Sequence, residues 1–260
     1  MAVVPKLAVS HLGKRFGELD VLRGIDLTIE RGEFISVVGP SGCGKTTFLR
    51  IIAGLEPATS GEVLLDGRAV REPAGDRGFV FQNDSLLPWR TVFNNTLIGR
   101  EVSSGVGPSE RRQAMELLKL VGLEGFENYY PRQLSGGMRQ RVNLARALAI
   151  DPEILLMDEP FAALDAQTRE IMQAELLRIW ERGQKTVLFV THQIDEAVFL
   201  SDRVLVFARR PGRLQEEVKI ALPRPRTLEI KRTSEFVGLV DRIWRLIEDD
   251  VRAAALYENA

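Results

Sequence analysis

A glycine-rich segment constrains the fold more strongly than any other feature of this sequence. Residues 39–46 read Gly-Pro-Ser-Gly-Cys-Gly-Lys-Thr. They follow a continuous apolar run, Phe34–Val38, and precede a helical pattern with Phe48, Ile51 and Ile52 on one face. An uninterrupted apolar run is typical of a strand that is covered on both faces. A buried strand, this loop and a helix together match the P-loop pattern. The sequence therefore predicts a strand that delivers a phosphate-binding loop to the edge of a sheet.

The residue types in this loop suit a bound polyphosphate. Glycines let the backbone bend so that successive N–H groups face one anionic pocket, and the helix that follows adds its positive end. Lys45 supplies a mobile charge for the β and γ phosphates, and the Thr46 hydroxyl is a hard ligand for Mg²⁺. Cys43 is either a small filler or a redox-sensitive thiol. The predicted phosphate-binding residues are Gly39, Pro40, Ser41, Gly42, Cys43, Gly44, Lys45, Thr46 and Thr47.

Two adjacent carboxylates follow a second apolar run. Ile154–Met157 leads directly into Asp158 and Glu159, and Pro160 ends the strand. Nucleotides bind at the carboxyl edge of the sheet in open α/β folds, so a buried strand here carries both carboxylates toward the phosphates. Asp158 is predicted to hold the magnesium shell, and Glu159 to polarise the attacking water or accept its proton. The alternative is a pair of solvated carboxylates at a strand end.

The remaining pattern predicts three kinds of structure. Short strands with turn residues between them occupy the first third of the chain, and Asp66-Gly67 is a hairpin turn signal. The pattern is helical from about Pro88 to Ala149. A strand–helix–strand unit at 154–190 predicts a parallel sheet. The predicted early strands are Lys6–Ser10, Val21–Glu30, Glu62–Asp66 and Gly78–Phe81. Beyond them, Pro223–Arg226 is a predicted linker. An amphipathic helix follows it, and this helix either docks on its own domain or contributes to a partner surface.

The overall composition excludes several classes of protein. The 260 residues are 45% hydrophobic and 27% charged, which is ordinary globular usage. The 35 basic and 36 acidic residues give a net charge of −1, so no general attraction to nucleic acid is expected. The arginines from Arg203 to Arg232 alternate with glutamates and are interpreted as a solvated face. One cysteine excludes an intrachain disulfide, and no apolar run is long enough to span a bilayer. Without a signal peptide, we expect a soluble chain that meets a membrane only through a partner.

A third segment predicts another anion-binding helix start. Ser135 is a suitable N-cap residue, and Gly136 and Gly137 leave the first N–H groups uncovered. The alternative is simple capping without a ligand. Because Leu134-Ser135-Gly136-Gly137 stands beside a complete P-loop, the chain resembles the nucleotide-binding subunit of ATP-binding cassette (ABC) transporters over residues 6–220. Met138 departs from the commonest form of this signature, which has glutamine.

The resemblance assigns further residues. It implies that Phe16, where tyrosine is commoner, stacks on adenine and that Gln82 contacts Mg²⁺ and senses the γ-phosphate. Ala163–Asp165 corresponds to the D-loop. His192 corresponds to the switch histidine that donates a hydrogen bond to the γ-phosphate, so Lys45, Glu159 and His192 form the implied catalytic set. Thr46, Gln82 and Asp158 are the implied magnesium ligands. The alternatives are that Phe16 is a core residue, that His192 is a helix cap and that Gln82 is a loop amide.

The family also implies an architecture and an assembly. The expected fold class is α/β, a P-loop NTPase (RecA-like) core with an antiparallel β subdomain and an inserted α-helical subdomain. The core is expected at residues 1–87 and 150–222, the helical subdomain at 88–149 and a C-terminal helical extension at 223–260. Two copies would pack head to tail as a homodimer, so Ser135, Gly136 and Gly137 act on the ATP of the partner. The cofactors implied are ATP and Mg²⁺.

Motifs outside the common core narrow the resemblance to one group of ABC transporters. Four segments resemble those of the nitrate, sulfonate, taurine and bicarbonate importers, which include importers of pyrimidine precursors: Leu86–Val92, Phe161–Arg169, Arg210–Arg213 and Leu222–Arg226. That group implies a transmembrane permease, an extracytoplasmic solute-binding protein and a position at the cytoplasmic face of the membrane. Leu86, Leu87 and Trp89 then either line the groove for the permease or pack in the helical subdomain. An ATPase of export or lipid trafficking, and a soluble ABC ATPase acting outside transport, remain alternatives. The solute is not encoded here, because the ATPase does not touch it.

Overall fold

The computed structural model describes residues 4–83, 85–103, 105–183 and 185–257. They form two compact units: a first unit up to Ala74 and from Lys185 onward, and a second unit over Gly75–Gly183. The strands are β1 (Leu7–Phe16), β2 (Leu19–Ile29), β3 (Phe34–Val38), β4 (Ser60–Leu65), β5 (Arg68–Ala69), β6 (Arg77–Val80), β7 (Ile154–Asp158), β8 (Thr186–Val190), β9 (Arg203–Phe207) and β10 (Leu214–Lys219). The α-helices are α1 (Lys45–Ile52), α2 (Val92–Ser103), α3 (Pro108–Leu120), α4 (Gly136–Ala149), α5 (Ala166–Gly183), α6 (Ile194–Leu200) and α7 (Ser234–Tyr257), and 3₁₀ turns cover Pro131–Gln133 and Leu228–Arg232.

An antiparallel sheet in the order β2-β1-β4-β5 forms one layer of the first unit. β1 runs six residues beyond the predicted end at Ser10, to Phe16. It continues because the polar stretch after Ser10 is accommodated by irregular pairing rather than by a turn. His11 takes a positive φ of 49°, and its N–H donates to Asp26 Oδ1 at 2.8 Å. A bulge of this kind breaks the alternation of side chains on which the prediction relied.

The hairpin between β4 and β5 has the turn predicted at Asp66-Gly67. Both residues have positive φ, 49° and 74°, as the mirror-image two-residue turns require. The Asp66 carboxylate accepts a hydrogen bond of 2.6 Å from Lys6 Nζ, and the Lys6 side chain is only 1% exposed. The hairpin is therefore tied to the start of β1 by a partly buried ion pair, and the turn prediction is confirmed.

The second layer of the first unit is built around β3. Its strands lie in the order β10-β9-β3-β8, with β3 parallel to both β8 and β9. All five residues of β3 and of β8 are buried, as the sequence predicts for strands covered on both faces. Because β3 and β8 are parallel, the loops after their carboxyl ends leave from the same edge of the sheet. That edge receives residues 39–44 and residues 191–193.

The proline-rich stretch 223–226 is not a linker, so that prediction is wrong. Arg226 is 6% exposed, and its guanidinium donates to the carbonyl oxygens of Val198, Phe199 and Ser201 at 3.2, 3.0 and 2.8 Å. It also donates to Leu222 O at 3.2 Å. The solvated-face interpretation is therefore wrong for Arg226. A cation on the last carbonyls of α6 satisfies acceptors that the helix leaves unpaired.

Replacing Arg226 by methionine is expected to destabilise the first unit. The substitution keeps much of the buried stem but leaves several carbonyl groups without their donor. We expect a loss of about 2–3 kcal/mol, or about 5–10 °C in melting temperature. Thermal unfolding followed by circular dichroism measures the shift. Arg232→Met is the control, because Arg232 is exposed. Equal melting temperatures for the two variants would contradict a stabilising role for the Arg226 contacts.

The C-terminal helix docks on its own unit. α7 packs against α6 and β9, with Phe236, Ile243 and Ile247 buried. Val237 and Trp244 remain 55% and 42% exposed. Of the two interpretations of this amphipathic helix, docking on its own domain agrees with the described part of the chain.

The second unit joins a two-stranded parallel ladder to helices. β6 pairs with β7 in the register Arg77↔Ile154 to Val80↔Met157. The helical pattern after Pro88 is confirmed, since α2, α3 and α4 pack on one another and α4 packs on β6. α3 begins at Pro108, where a helix tolerates proline. The domain boundaries expected from the family resemblance remain a prediction.

Candidate nucleotide-binding site

The predicted phosphate-binding loop lies between β3 and α1 in the first unit. Gly42 and Gly44 have φ of 73° and 101°, a region that side chains rarely adopt. A Cβ on Gly44 would also lie 2.6 Å from Leu22 Cδ2 and 3.2 Å from Val21 O. α1 begins at Lys45 without a side-chain cap, so its first N–H groups are not used by a capping residue. These conditions are those of an anion-binding loop.

Lys45 lies folded over this loop. Its side chain is 6% exposed, and Nζ donates to Gly39 O at 2.7 Å and Pro40 O at 3.1 Å. Two backbone carbonyl oxygens therefore hold the amino group of Lys45 against the loop. Thr46 and Thr47 stand in the first turn of α1, and both are half-buried. The loop therefore gathers a cation, hydroxyl groups and backbone donors at one place.

Cys43 is enclosed within the loop. Its side chain is 1% exposed, and burial raises the pKa of the thiol above its ordinary value, with the Asp250 carboxylate adding to the rise. A buried thiol with a raised pKa carries little thiolate at neutral pH, and the thiolate is the reactive form. This geometry favours the filler interpretation over the redox-sensitive one.

The single cysteine gives a direct test of that interpretation. We expect a neutral thiol reagent to modify the native chain at least about 100-fold more slowly than the chain unfolded in urea. The rate of modification of the native chain should still increase with pH after an ordinary cysteine is fully ionised. An aromatic disulfide is a suitable reagent, because the aromatic thiolate that it releases is measured by absorbance. Similar rates in the native and unfolded states would show that Cys43 is accessible.

His192 leaves the same sheet edge as the phosphate-binding loop. Thr191 N donates to Val37 O at 3.2 Å, which joins the end of β8 to the end of β3. The Thr191 hydroxyl donates to Glu196 Oε2 at 2.5 Å and accepts from Gln193 N at 3.0 Å. His192 itself is exposed, between these fixed neighbours. Glu196 was missed by the sequence analysis, because its contact with Thr191 depends on how α6 starts.

Phe16 lies at the end of β1 with 45% of its surface exposed. Lys14 Nζ lies 4.5 Å from the ring centroid. This exposure disagrees with the alternative of a core residue. The exposed ring of Phe16 can stack on another flat ring. Its assignment to adenine stays a prediction.

The acidic pair of the second unit ends β7 as predicted. Asp158 is 5% exposed, and Glu159 follows at a φ of 44°, which is uncommon for a residue other than glycine. Arg169 donates to Phe161 O at 3.2 Å and to Leu164 O at 2.7 Å, so it holds the segment that follows Glu159. The hydrogen bond from the Thr168 backbone lowers the pKa of Asp165, the N-cap residue of α5. Arg169 was not among the predicted site residues, because its targets are carbonyl groups that carry no sequence signal.

The predicted signature segment forms the start of α4. Ser135 is its N-cap, and Ser135 Oγ accepts from Met138 N at 3.2 Å. Gly136 is exposed, whereas Gly137 is buried. A Cβ on Gly137 would lie 2.9 Å from Thr168 Cγ2, so this glycine also permits close packing of α4 on α5. The exposed groups at this helix start are therefore Ser135 and Gly136.

Gln82 follows β6 in a loop that α4 holds. Asn143 Nδ2 donates to Phe81 O at 3.2 Å, and Arg146 Nη1 donates to Ser85 O at 2.8 Å. Gln82 is exposed between these contacts. The second unit thus brings the Gln82 loop and the signature helix together, with Asn143 and Arg146 as links that the sequence analysis did not identify.

A strand, a glycine-rich loop and a helix that bears a buried lysine define a P-loop nucleotide-binding protein. A family model described as ABC transporter matches residues 22–162. The chain is 56% identical over 252 residues, 95% of its length, to an uncharacterised ABC transporter ATP-binding protein of Methanocaldococcus jannaschii, of which 92% is covered. It is 49% identical to the nitrate import ATP-binding protein of a Synechocystis species over 91% of each chain. The chain belongs to the ABC transporter ATP-binding family, and like the family it is an ATPase.

Solved structures show the same relationship. The chain matches an ATP-binding cassette, solved as a dimer in a post-hydrolysis state with ADP and Pi, with a TM-score of 0.72 and 36% identity. The match covers 84% of this chain and all of the other. The predicted fold class is thereby confirmed. Other relatives are named aliphatic sulfonate and taurine import ATP-binding proteins, consistent with the importer group expected from the sequence. None of the helices described in this chain could cross a membrane.

Proposed function

We propose that this chain is the ATP-hydrolysing subunit of an ABC importer for a small solute of the nitrate, sulfonate, taurine, bicarbonate or pyrimidine-precursor type. The observation that carries the proposal is the near full-length similarity to a nitrate import protein, 49% over 91% of both chains. Taurine and sulfonate import proteins of similar identity support the same group. These names favour import over export, lipid trafficking or a role outside transport.

The residues of the first unit would bind the triphosphate. Backbone N–H groups of residues 39–44 and the start of α1 surround the phosphates, and Lys45 would exchange its carbonyl partners for β and γ phosphate oxygens. The exchange is favourable because a phosphate carries full charge and a carbonyl oxygen does not. His192, at the same sheet edge, would donate a hydrogen bond to the γ-phosphate. Phe16 would stack on the adenine.

Glu159 would act on the attacking water. Its carboxylate accepts a proton as the water oxygen bonds to the γ-phosphorus and the bond to the β–γ bridging oxygen breaks. Arg169, which holds the segment after Glu159, would limit the movement of this carboxylate. Gln82 would report the presence of the γ-phosphate to the α4 region through its tethered loop.

The predicted magnesium ligands carry the oxygen donors that Mg²⁺ prefers. Among the described residues no group of three or more His, Cys, Asp or Glu could hold a metal. Mg²⁺ is commonly held by one or two carboxylates together with substrate phosphates, so a protein cage is not required. Thr46, Gln82 and Asp158 offer a hydroxyl, an amide and a carboxylate oxygen. A bound Mg²⁺ would neutralise charge that develops on the phosphates.

Assembly with other chains completes the proposal. Two copies would pack head to tail, with Ser135, Gly136 and Gly137 of one chain on the triphosphate of the other. The dimer would close on ATP and open after hydrolysis, which is a shift between two populations. A permease, reached by a solute-binding protein from outside, would hold the dimer at the cytoplasmic face of the membrane. Trp89 is 71% exposed, which supports the permease groove for this residue. Leu86 is only 8% exposed, which agrees with the alternative of core packing, and Leu87 is half-buried.

Isolation of the assembled complex tests the proposed function. An affinity-tagged chain would be recovered from detergent-solubilised membranes, and the proteins and small molecules that accompany it identified by mass spectrometry. We expect a transmembrane permease, and we expect vesicles containing the complex to take up its solute only with ATP. Recovery with exported lipid, or with no membrane protein at all, would contradict the importer assignment.

A further inference from the structure

The turn between β9 and β10 lies against the phosphate-binding loop. It comprises Arg209–Arg213 and falls outside the residues matched by the family model. Gly212 fixes it to β2, because its N–H donates to Val21 O at 2.8 Å and its carbonyl accepts from Arg23 N at 2.9 Å. The position of the turn is therefore set by backbone hydrogen bonds on both sides of one residue.

This turn contacts the carbonyl side of two successive peptides in the loop. Arg210 donates to Gly42 O from Nε at 3.3 Å and from Nη2 at 3.2 Å. Gly212 packs so closely on the next carbonyl that a Cβ there would lie 2.0 Å from Cys43 O. In a trans peptide the N–H points opposite to the C=O. The N–H groups of Cys43 and Gly44 are therefore directed away from the turn. Within the loop, Cys43 N donates to Pro40 O at 3.3 Å.

The C-terminal helix holds the turn from the other side. Asp250, on α7, accepts from Arg209 N at 2.8 Å through Oδ2. α7 is attached to β10 nearby, since Gln215 Nε2 donates to Leu246 O at 3.1 Å and Arg242 pairs with Glu216 at 2.6 Å. A continuous series of contacts thus leads from α7 through the turn to the backbone of the phosphate-binding loop.

We propose that Arg210 is a positioning residue for the phosphate-binding loop and that α7, through Asp250, keeps it in place. The C-terminal helix then contributes to the affinity for ATP without touching the nucleotide. This inference rests on the proposed role of residues 39–46 in binding ATP. The effect is one of orientation: the turn holds the peptide groups of residues 42–44 in place before the nucleotide arrives, which reduces the ordering cost of binding.

Equilibrium binding of a fluorescent ATP analogue to the full chain tests the proposal. We expect Arg210→Ala to raise Kd about tenfold and Asp250→Ala about threefold. The kcat at saturating ATP should stay within about twofold, because neither side chain reaches the reacting atoms. In the double variant the rise in Kd should be smaller than the product of the single effects, because both act on one turn. Arg210→Lys, which keeps the charge and one donor, should lie between the parent and Arg210→Ala.

Matched controls separate positioning from charge. Arg213→Ala removes the same charge from the same turn, and Asp249→Ala removes a carboxylate adjacent to Asp250; both side chains are exposed. We expect both controls to bind the analogue as the parent does. Unchanged affinity in Arg210→Ala and Asp250→Ala, or equal losses in the controls, overturns the inference. If Arg210→Ala does not fold, the Kd values of Arg210→Lys and Asp250→Ala test the inference instead. Failure of the parent chain itself to bind would instead overturn the proposed function.

Discussion

Glu159→Gln is expected to lower ATP turnover by about 100- to 10,000-fold while ATP binding persists. The substitution keeps the shape of the side chain at its φ of 44° but removes the group that would accept the proton of water. The lysine, loop and helix start that would bind the phosphates are unchanged. ATP should therefore accumulate uncleaved on the protein, and the proposed ATP-bridged dimer should persist. Phosphate release measures turnover, and size-exclusion chromatography with ATP measures the dimer.

Glu116→Gln is the matched control for this substitution. Glu116 is an exposed residue of α3, so the change removes the same charge from the second unit without reaching the acidic pair. We expect Glu116→Gln to hydrolyse ATP at the parent rate. Turnover by Glu159→Gln within about threefold of the parent would remove Glu159 from the proposed catalytic role.

Local sequence patterns were sufficient to predict the elements that carry the candidate site. β3 and β8 are buried along their full length, so their apolar runs needed no knowledge of the partner strands. The Asp66-Gly67 turn and the Ser135 cap likewise depend on the backbone within a few residues of each. These features are decided by conformational preference and by side chains that bond their own neighbours. Such preferences can be inferred from a single amino-acid sequence.

The features that the sequence did not reveal depend on contacts between distant segments. Arg226 was placed in a linker because two prolines closely precede it, yet its carbonyl acceptors at the end of α6 lie 25 to 28 residues away. Arg210 meets Gly42 across 168 residues, and Asp250 meets Arg209 across 41. Each of these pairs involves a backbone atom, which every residue possesses, so no pattern of residue types marks the partner. Their identification required the fold.

Mixing two inactive variants is expected to restore ATP hydrolysis. Lys45→Ala removes the cation of the phosphate-binding loop, and Gly136→Asp places a carboxylate at the helix start that would face the phosphates of the partner. A Cβ on Gly136 would meet nothing nearer than 3.8 Å, so the aspartate should fold without strain. It should even stabilise the start of α4 while repelling the triphosphate. Each variant alone should therefore be folded and should hydrolyse ATP at less than about 1% of the parent rate.

The mixture distinguishes the head-to-tail dimer from a site completed within one chain. In a mixed dimer the intact loop of the Gly136→Asp chain meets the intact helix start of the Lys45→Ala chain, so one of its two sites is complete. With random pairing, half of the dimers are mixed, and we expect about a quarter of the parent activity. Gly136→Ala, which adds volume without charge, is the control and should retain most of the activity alone. Had each site been completed within a single chain, every chain in the mixture would carry a defect and hydrolysis would stay at the background of the separate variants. Colorimetric phosphate release over a series of mixing ratios measures the outcome, and a maximum near equal amounts is the signature of sites shared between two copies.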